Sequence, residues 1–491
     1  MSRQVNMVEL AALGVLKRDG RRIVPALCQR LRVLIRSGQL QAGDQLPSSR
    51  LLAMQLGISR SSVTSAYEQL IAEGYLDAEH GAGTRVCRAL PNVQKPSGMA
   101  ITAPTPALPP RSASLAAVAS AFNPLPAIPF AMAVPCGKVA PDRHWLRLRQ
   151  RVLASQPAQL GSYGDPQGLP ALREALCDYL RTSRAVHCEP DQIILTEGTQ
   201  QGLYVAAMTL LEPGHTALVE DPAYGGLTAL LTSLGITMAH VPVDEQGIDI
   251  ARGEQMAPGA QVAFVTPSHH YPLGMPLSMP RRLALLAWAQ RNQSWIVEDD
   301  YDSELRFGSP PFPALQGIDG ERVIYLGTFS KVLAPSLRLG YLVAPPALKP
   351  ALLGARILLG RGSPLAEQHV LAAYLKQGFF NAHLRRVRSV YAKARDNLLA
   401  MLTDALPWLT VQPSDQGMHL LLWLPPEMDD VAICRQALAR GVALRPLSPT
   451  YAEPHHARGL LLGFGGFTDE QMSAAIAVLV PILEMARTPH R

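Results

Sequence analysis

Lys331 stands directly after a hydroxyl-rich turn, Gly327-Thr328-Phe329-Ser330, and is followed by Arg338 in the same short stretch. The apolar run Val323-Ile324-Tyr325-Leu326 precedes the turn, so a strand would deliver the amine at its end. A neutral lysine amine forms a Schiff base with a carbonyl, while hydroxyls and a fixed cation hold a phosphate beside it. A lone Ser-Lys pair is more often a surface loop. Three further stretches set this one apart, each placed after an apolar run. Gly198-Thr199-Gln200 follows Ile193–Leu195 and opens a helix, where backbone N–H groups and a hydroxyl could bind phosphate. Glu220-Asp221-Pro222-Ala223-Tyr224 offers an aromatic ring, and Glu298-Asp299-Asp300-Tyr301 offers carboxylates beside a phenol. Amine, phosphate donors, a stacking ring and a carboxylate able to keep a pyridine nitrogen protonated are together what pyridoxal 5′-phosphate needs.

The elements that must position these groups follow from the patterning. Apolar runs at Ile193–Leu195, Thr216–Val219, Gln261–Val265, Ser294–Val297, Val323–Leu326 and Tyr341–Ala344 read as strands, separated by helical segments such as Gly202–Leu211 and Arg281–Gln290. Alternating strands and helices predict an α/β layered domain with a largely parallel sheet, whose ligand sites gather at strand ends. A metal site at His269-His270 is not expected, because adjacent residues of an extended chain point to opposite sides.

The N-terminal part differs in charge. The whole chain of 491 residues carries a formal charge of +6, and residues 1–88 hold 12 Arg and Lys against 7 Asp and Glu, so nearly all of the excess lies there. A basic module on a nearly neutral body suggests a polyanion partner. From Ile23, Leu27, Leu31, Leu34 and Ile35 recur at helical spacing until Ser37–Gly43. Ser48 or Ser49 caps a second helix running to Gly57, and Ser59 caps a third with Val63, Ala66, Tyr67 and Leu70 on one stripe. The stretch Ala78–Val86 reads as a glycine-tipped hairpin. Three helices and a hairpin make a winged helix-turn-helix, whose third helix enters the major groove.

Residues 89–128 alternate Pro with Ala and Ser and predict a linker, able to extend to on the order of 120 Å at roughly 3.1 Å per residue. The six cysteines have no close-spaced pair, which indicates reduced thiols and neither a zinc site nor a disulfide framework. No apolar run reaches membrane-spanning length and no secretory leader is expected, so a cytoplasmic protein is the reading.

Leu46-Pro47-Ser48-Ser49-Arg50, Leu56-Gly57-Ile58-Ser59-Arg60, Glu73-Gly74 and Gly81-Ala82-Gly83-Thr84 resemble the motif of the GntR family of bacterial repressors. That resemblance implies that Arg50, Ser59, Arg60 and Thr64 contact DNA, with His80 and Gly81 at the wing. Residues 130–491 resemble fold-type I aminotransferases through Tyr163-Gly164-Asp165-Pro166-Gln167-Gly168, Glu220-Asp221-Pro222, Pro272-Leu273-Gly274, Asp299 with Tyr301, and Ser330-Lys331 with Arg338. It implies Lys331 as the Schiff-base amine, Asp299 on the pyridine nitrogen, Tyr301 on the ring hydroxyl and Tyr224 stacked on the ring. Thr199, Gln200, Thr328, Ser330 and Arg338 would hold the phosphate, Tyr163 would reach it from a partner subunit, and Arg458 would take an effector carboxylate. His270 and Leu273 depart from the family pattern, which usually has glutamine and threonine there.

Together the two halves resemble the MocR/GabR group of regulators. The resemblance implies an extension over residues 1–20, a winged helix-turn-helix over 21–88, a linker over 89–128 and a pyridoxal-phosphate-binding, dimerising domain over 129–491. Double-stranded promoter DNA and an amine or amino-acid effector are the implied partners, in a head-to-tail, domain-swapped homodimer. An active amino-acid aminotransferase with a DNA-binding appendage is the alternative, because Lys331 and Asp299 would serve both.

Overall fold

The computed structural model describes residues 23–79, 83–88, 107–121, 125–132, 134, 141–155, 160–308, 312–453 and 457–487. The chain divides into two compact units, residues 1–107 and 108–491. In the first, helices α1 (Ile23–Arg36), α2 (Ser49–Leu56) and α3 (Arg60–Ala72) precede the antiparallel hairpin of β1 (Leu76–Glu79) and β2 (Gly83–Val86). Capping sets the helix starts: Ser48 Oγ accepts from Leu51 N (3.3 Å) and Ser59 Oγ from Ser62 N (3.1 Å). Gly57 ends α2 at φ +64°, the left-handed conformation that makes the tight turn into α3 inexpensive for glycine. Leu27, Leu31, Leu52, Val63, Ala66, Leu70, Leu76 and Val86 are buried in one small core. Arg32 donates to both oxygens of Glu73 (2.8 and 2.6 Å) and ties α1 to the end of α3.

The second unit is built on an eight-stranded sheet. Its strands are β3 (Ile193–Thr196), β4 (Thr216–Asp221), β5 (Thr237–Asp244), β6 (Gly247–Ile248), β7 (Val262–Val265), β8 (Trp295–Asp300), β9 (Val323–Thr328) and β10 (Gly340–Val343). The order is β3-β10-β9-β8-β7-β4-β5-β6. The neighbours from β9 through β8, β7 and β4 to β5 are parallel, while β10 runs against both β3 and β9. The six strands expected from apolar runs are all present. A smaller antiparallel sheet, β11 (Thr410–Val411), β12 (His419–Leu424), β13 (Arg445–Pro446) and β14 (Arg458–Gly463), follows in the order β11-β12-β14-β13.

One segment departs from the expected linker. Pro110–Ala121 is a helix, packed against the helix Gly225–Leu234. Its alanine-rich composition favours helix, and proline at the first helical position costs no hydrogen bond, so the proline that suggested an extended chain starts this element. The part of the expected linker from 89 to 106 lies outside the described residues.

Behind β8 the chain buries an ion pair. Arg184, at the end of the helix Pro170–Arg184, donates through Nε to Asp300 Oδ2 (2.8 Å), and both side chains are almost fully buried. Tyr325 Oη donates to the same oxygen (2.5 Å), and Arg184 also donates to Ser268 Oγ (2.5 Å) and Phe312 O (2.9 Å). Removing one member leaves the other charge buried and uncompensated. Arg184→Ala is expected to lower unfolding free energy by about 3–5 kcal/mol in urea titrations, and a loss below about 1 kcal/mol would contradict this weight.

Candidate cofactor site

Parallel strands place their C-terminal ends side by side, and the loops that leave β4, β7, β8 and β9 converge there. Side-chain alternation sorts the acidic run of β8. Glu298 accepts from Leu315 N and Gln316 N (both 3.1 Å) and Asp300 from Arg184, on one face of the sheet. Asp299 points to the other face, where it lines a pocket with Val219, Ala223, Tyr224, Phe264 and Val297.

Asp299 is buried, and its Oδ1 has no hydrogen-bond partner. Burial raises its carboxyl to about 7; Asp300 and Asp302 push the same way and the Lys331 ammonium opposes them. Lys331 lies just beyond the end of β9, and burial lowers its amine from the ordinary lysine value, against the pull of Asp302 and Asp299. A less readily protonated amine near an acid with one buried oxygen left without a hydrogen bond is the donor set that a pyridine aldehyde requires.

The neighbouring groups named from the sequence are placed as follows. Tyr224 sits at the start of the helix Gly225–Leu234, partly exposed, with Tyr271 edge-on to it at 5.9 Å and 89°. Tyr301 Oη lies 3.1 Å from His269 Nδ1, which is itself 2.8 Å from Asp302 Oδ2. Thr199 is the first residue of the helix Thr199–Leu210, after Gly198 at φ +118°. Glycine there leaves the helix N-terminus open to an anion. Thr328 Oγ1 donates to Ser330 Oγ (3.0 Å) and accepts from Ser330 N (3.2 Å). Gln200 Nε2 donates to Gly226 O (3.1 Å), bracing the two helix starts. Arg338 is exposed at φ +50° beyond the same turn. Tyr163 is 82% exposed, with the Arg361 guanidinium 5.6 Å from its ring centroid. These residues fit pyridoxal phosphate: an acid for the ring nitrogen, an amine for the aldehyde, and an N-terminal helix turn with hydroxyls for the phosphate.

Arg458 is placed differently from the expectation that it takes an effector carboxylate. It shares a face of β14 with Leu460 and Leu462, which belong to the large core cluster, on the side where the helix Asp430–Ala439 packs. Its Nη1 donates to the fully buried Asp430 (3.2 Å) and to Ser448 Oγ (3.0 Å). Leu461 faces the opposite way, towards Leu273, with Tyr271 packed against that cluster. An arginine already serving a buried carboxylate on the far side of a strand is not positioned to meet a ligand on the near side.

Two residues at the site were given no role from the sequence, His269 and His419. His269 links Tyr301 to Asp302, and His419, the first residue of β12, lies beside His269 at 5.5 Å between ring centroids and donates through Nε2 to Pro272 O (3.1 Å). Residues far apart in the chain meet here, and no spacing in the sequence marks them as neighbours. In the DNA-binding unit, Arg50 and Arg60 are exposed in the first turns of α2 and α3. Ser59 Oγ is engaged as the α3 cap, and Thr64 Oγ1 donates to Arg60 O (3.0 Å). His80 and Gly81 lie outside the described residues.

Residues 133–479 match the aminotransferase class I and II family, and residues 25–86 match the bacterial regulatory proteins of the gntR family. The chain is 36% identical to a probable rhizopine catabolism regulatory protein, MocR, of Rhizobium meliloti, across 92% of this chain and 91% of that protein. It is 34% identical to the pyridoxine biosynthesis transcriptional regulator PdxR of Corynebacterium glutamicum, across 92% of this chain and 94% of that one. In structure it is similar to a kynurenine aminotransferase of Pyrococcus horikoshii, with a TM-score of 0.69, 24% identity, and coverage of 78% of this chain and 96% of the other. The aminotransferase class I and II fold is a pyridoxal-phosphate-dependent one.

The unusual protonation of Asp299 has a consequence for stability. An acid whose folded value lies above its ordinary 3.8 stabilises the fold only while protonated, so stability falls as pH rises from about 4 to about 7. In cofactor-free protein Asp299→Asn should therefore be more stable than wild type at pH 8, by on the order of 2–4 kcal/mol, with the advantage vanishing near pH 4. Urea titrations across that range would measure it, and a variant less stable at pH 8 would contradict the account.

Proposed function

The chain belongs to the GntR-family regulators that carry an aminotransferase class I and II domain, the MocR type, and we propose that it is a transcriptional regulator that binds promoter DNA through its winged helix and senses pyridoxal phosphate, or its adduct with an amine, in the second domain. The observation that carries this reading is the occurrence on one chain of two complete sets of groups: a basic winged helix with exposed arginines at its helix starts, and the Lys331–Asp299 pair at the ends of a parallel sheet.

Bound pyridoxal phosphate would supply an aldehyde for amines and a ring that withdraws electrons when its nitrogen is protonated. The residues of this chain do the rest. Asp299 accepts the hydrogen bond from the ring nitrogen and, by gaining a positive neighbour, stays ionised near neutral pH. Lys331 offers its amine. Tyr224 covers the ring, Tyr301 meets its hydroxyl, and the start of the helix Thr199–Leu210 with Gln200, Thr328, Ser330 and Arg338 takes the phosphate. Tyr163, strongly exposed in one subunit, would complete the phosphate site of its partner in a homodimer.

On the DNA side, Arg50 and Arg60 project from the starts of α2 and α3, where an arginine can bridge phosphates or bind a guanine bidentately. Ser59 and Thr64 support the same helix start, with His80 and Gly81 at the wing. Effector binding would change promoter affinity through its differential affinity for two conformations, typically about 1–3 kcal/mol.

The regulator reading is favoured over robust transamination by the placement of Arg458, whose guanidinium serves Asp430. In the full-length protein, Arg60→Ala should weaken promoter binding by about 1–3 kcal/mol while leaving the visible absorbance acquired with pyridoxal phosphate intact. Lys331→Ala should lose that absorbance. An Arg60→Ala protein that binds DNA like wild type, or a Lys331→Ala protein that keeps the wild-type band, would contradict the respective assignment.

A further inference from the structure

We propose that His269, held by Asp302, is a positioning residue that fixes the direction of the Tyr301 hydroxyl, so that this phenol gives its hydrogen to the ring oxygen of the bound cofactor. The inference deepens the function proposed above and rests on its cofactor reading.

The geometry begins at one nitrogen. His269 Nδ1 lies 2.8 Å from Asp302 Oδ2 and 3.1 Å from Tyr301 Oη, and the histidine and aspartate side chains are almost fully buried. An ionised carboxylate only accepts, so the hydrogen on Nδ1 is directed to Asp302. The other ring nitrogen leads to the same tautomer. His269 Nε2 is buried with no hydrogen-bond partner, and a hydrogen placed there would be a buried donor without an acceptor. Asp302 Oδ1 also has no hydrogen bond, so the bond from His269 is the one that steadies this carboxylate. With its hydrogen on Nδ1, the histidine has no lone pair to offer Tyr301 on that side. The phenol oxygen accepts there, and its own hydrogen is left for the pocket.

The imidazole is also held against turning. A side chain on Gly417 would place its Cβ 2.2 Å from His269 Cε1, and one on Gly274 would stand 3.5 Å from Nε2. Both glycines adopt positive φ (+83° and +87°), a conformation that lets bare backbone close on the ring from that side. The His419 ring lies 5.5 Å away, and Tyr271 stands edge-on to Tyr301 at 6.2 Å.

The surroundings keep the phenol protonated. Burial raises Tyr301 well above the ordinary tyrosine value, and Asp302, Tyr271, Asp299 and Glu220 push the same way. The basic groups nearby are His269, His419 beyond it, and the Lys331 amine, whose charged form Asp302 and Asp299 favour. A phenol that keeps its hydrogen acts as a donor, and the ring oxygen is the acceptor that the cofactor reading sets against it.

The test follows the visible band of the full-length protein loaded with pyridoxal phosphate as pH is varied. The band changes when the nitrogen joining Lys331 to the cofactor loses its proton, and a phenol donating to the ionised ring oxygen brings that loss to lower pH. Tyr301→Phe is expected to raise the midpoint by about one to two pH units, the worth of one hydrogen bond to a charged acceptor. Asp302→Asn presents an amide N–H to His269 Nδ1, reverses the tautomer and draws the Tyr301 hydrogen to the histidine, so the midpoint should rise by about one unit. In the Tyr301→Phe background the same substitution should lower the midpoint, because only the loss of a nearby negative charge remains. Asp302→Ala, which removes the carboxylate without adding an amide, should give the same two signs with a smaller rise. A midpoint that falls or stays unchanged in the single Asp302 variants, a rise that persists in the Tyr301→Phe background, or a band lost from both Asp302 variants would overturn the proposal and leave the cofactor reading standing. No band in wild type would overturn that reading and the proposal with it.

Discussion

A carboxyl group buried at the end of a β-sheet with no protein cation bonded to it is costly, and the site is built around one, Asp299. The cost is local because β8 turns its acidic neighbours away: Glu298 and Asp300 point to the opposite face, where backbone N–H groups and Arg184 satisfy them. Had the arginine been on the near face, Asp299 would be neutralised by its own chain. The strand instead spends its cations behind the sheet and keeps an acid in front, beside an amine that burial makes easier to deprotonate. A group that brings a protonated ring nitrogen and an aldehyde answers both needs together.

The smaller sheet contributes by the same two-residue alternation. In β12, Leu420, Leu422 and Leu424 enter the helical core, while His419 and Leu421 face the site. In β14, Arg458, Leu460 and Leu462 go one way and Leu461 the other. A shift of register by one residue would turn Arg458, Leu460 and Leu462 towards the site and Leu461 away from it. The partnership of Arg458 with Asp430 therefore fixes the register and shapes the ligand wall as well. Two hydrogen bonds, Ala223 N to Thr450 O and Ala452 N to Asp221 Oδ1, join the chain after β13 to the end of β4.

Much of this was legible in the sequence, for identifiable reasons. Strands buried on both faces appear as apolar runs, so β3, β4, β7, β8, β9 and β10 stood out, and parallel topology then gathers whatever follows them. Lys331, Asp299, Tyr224 and Thr199 could be grouped without knowing a distance. The helices of the basic unit were legible from their serine caps and apolar stripes. The helix Pro110–Ala121 was hidden by its prolines, which mark linkers and helix starts alike. The face occupied by Arg458 depended on a one-residue register that spacing alone does not set.

The central claim is that occupancy at Lys331 is read out at DNA, and the measurement that tests it most directly is promoter binding with and without pyridoxal phosphate. Using a fragment protected by the wild-type protein in footprinting, the cofactor should change wild-type affinity by roughly 5- to 150-fold, the range of a typical coupling free energy. The Lys331→Ala protein should bind the same fragment with an affinity that the cofactor does not alter. Equal shifts in the two proteins, or an unchanged wild-type affinity while the visible cofactor band is present, would contradict the account.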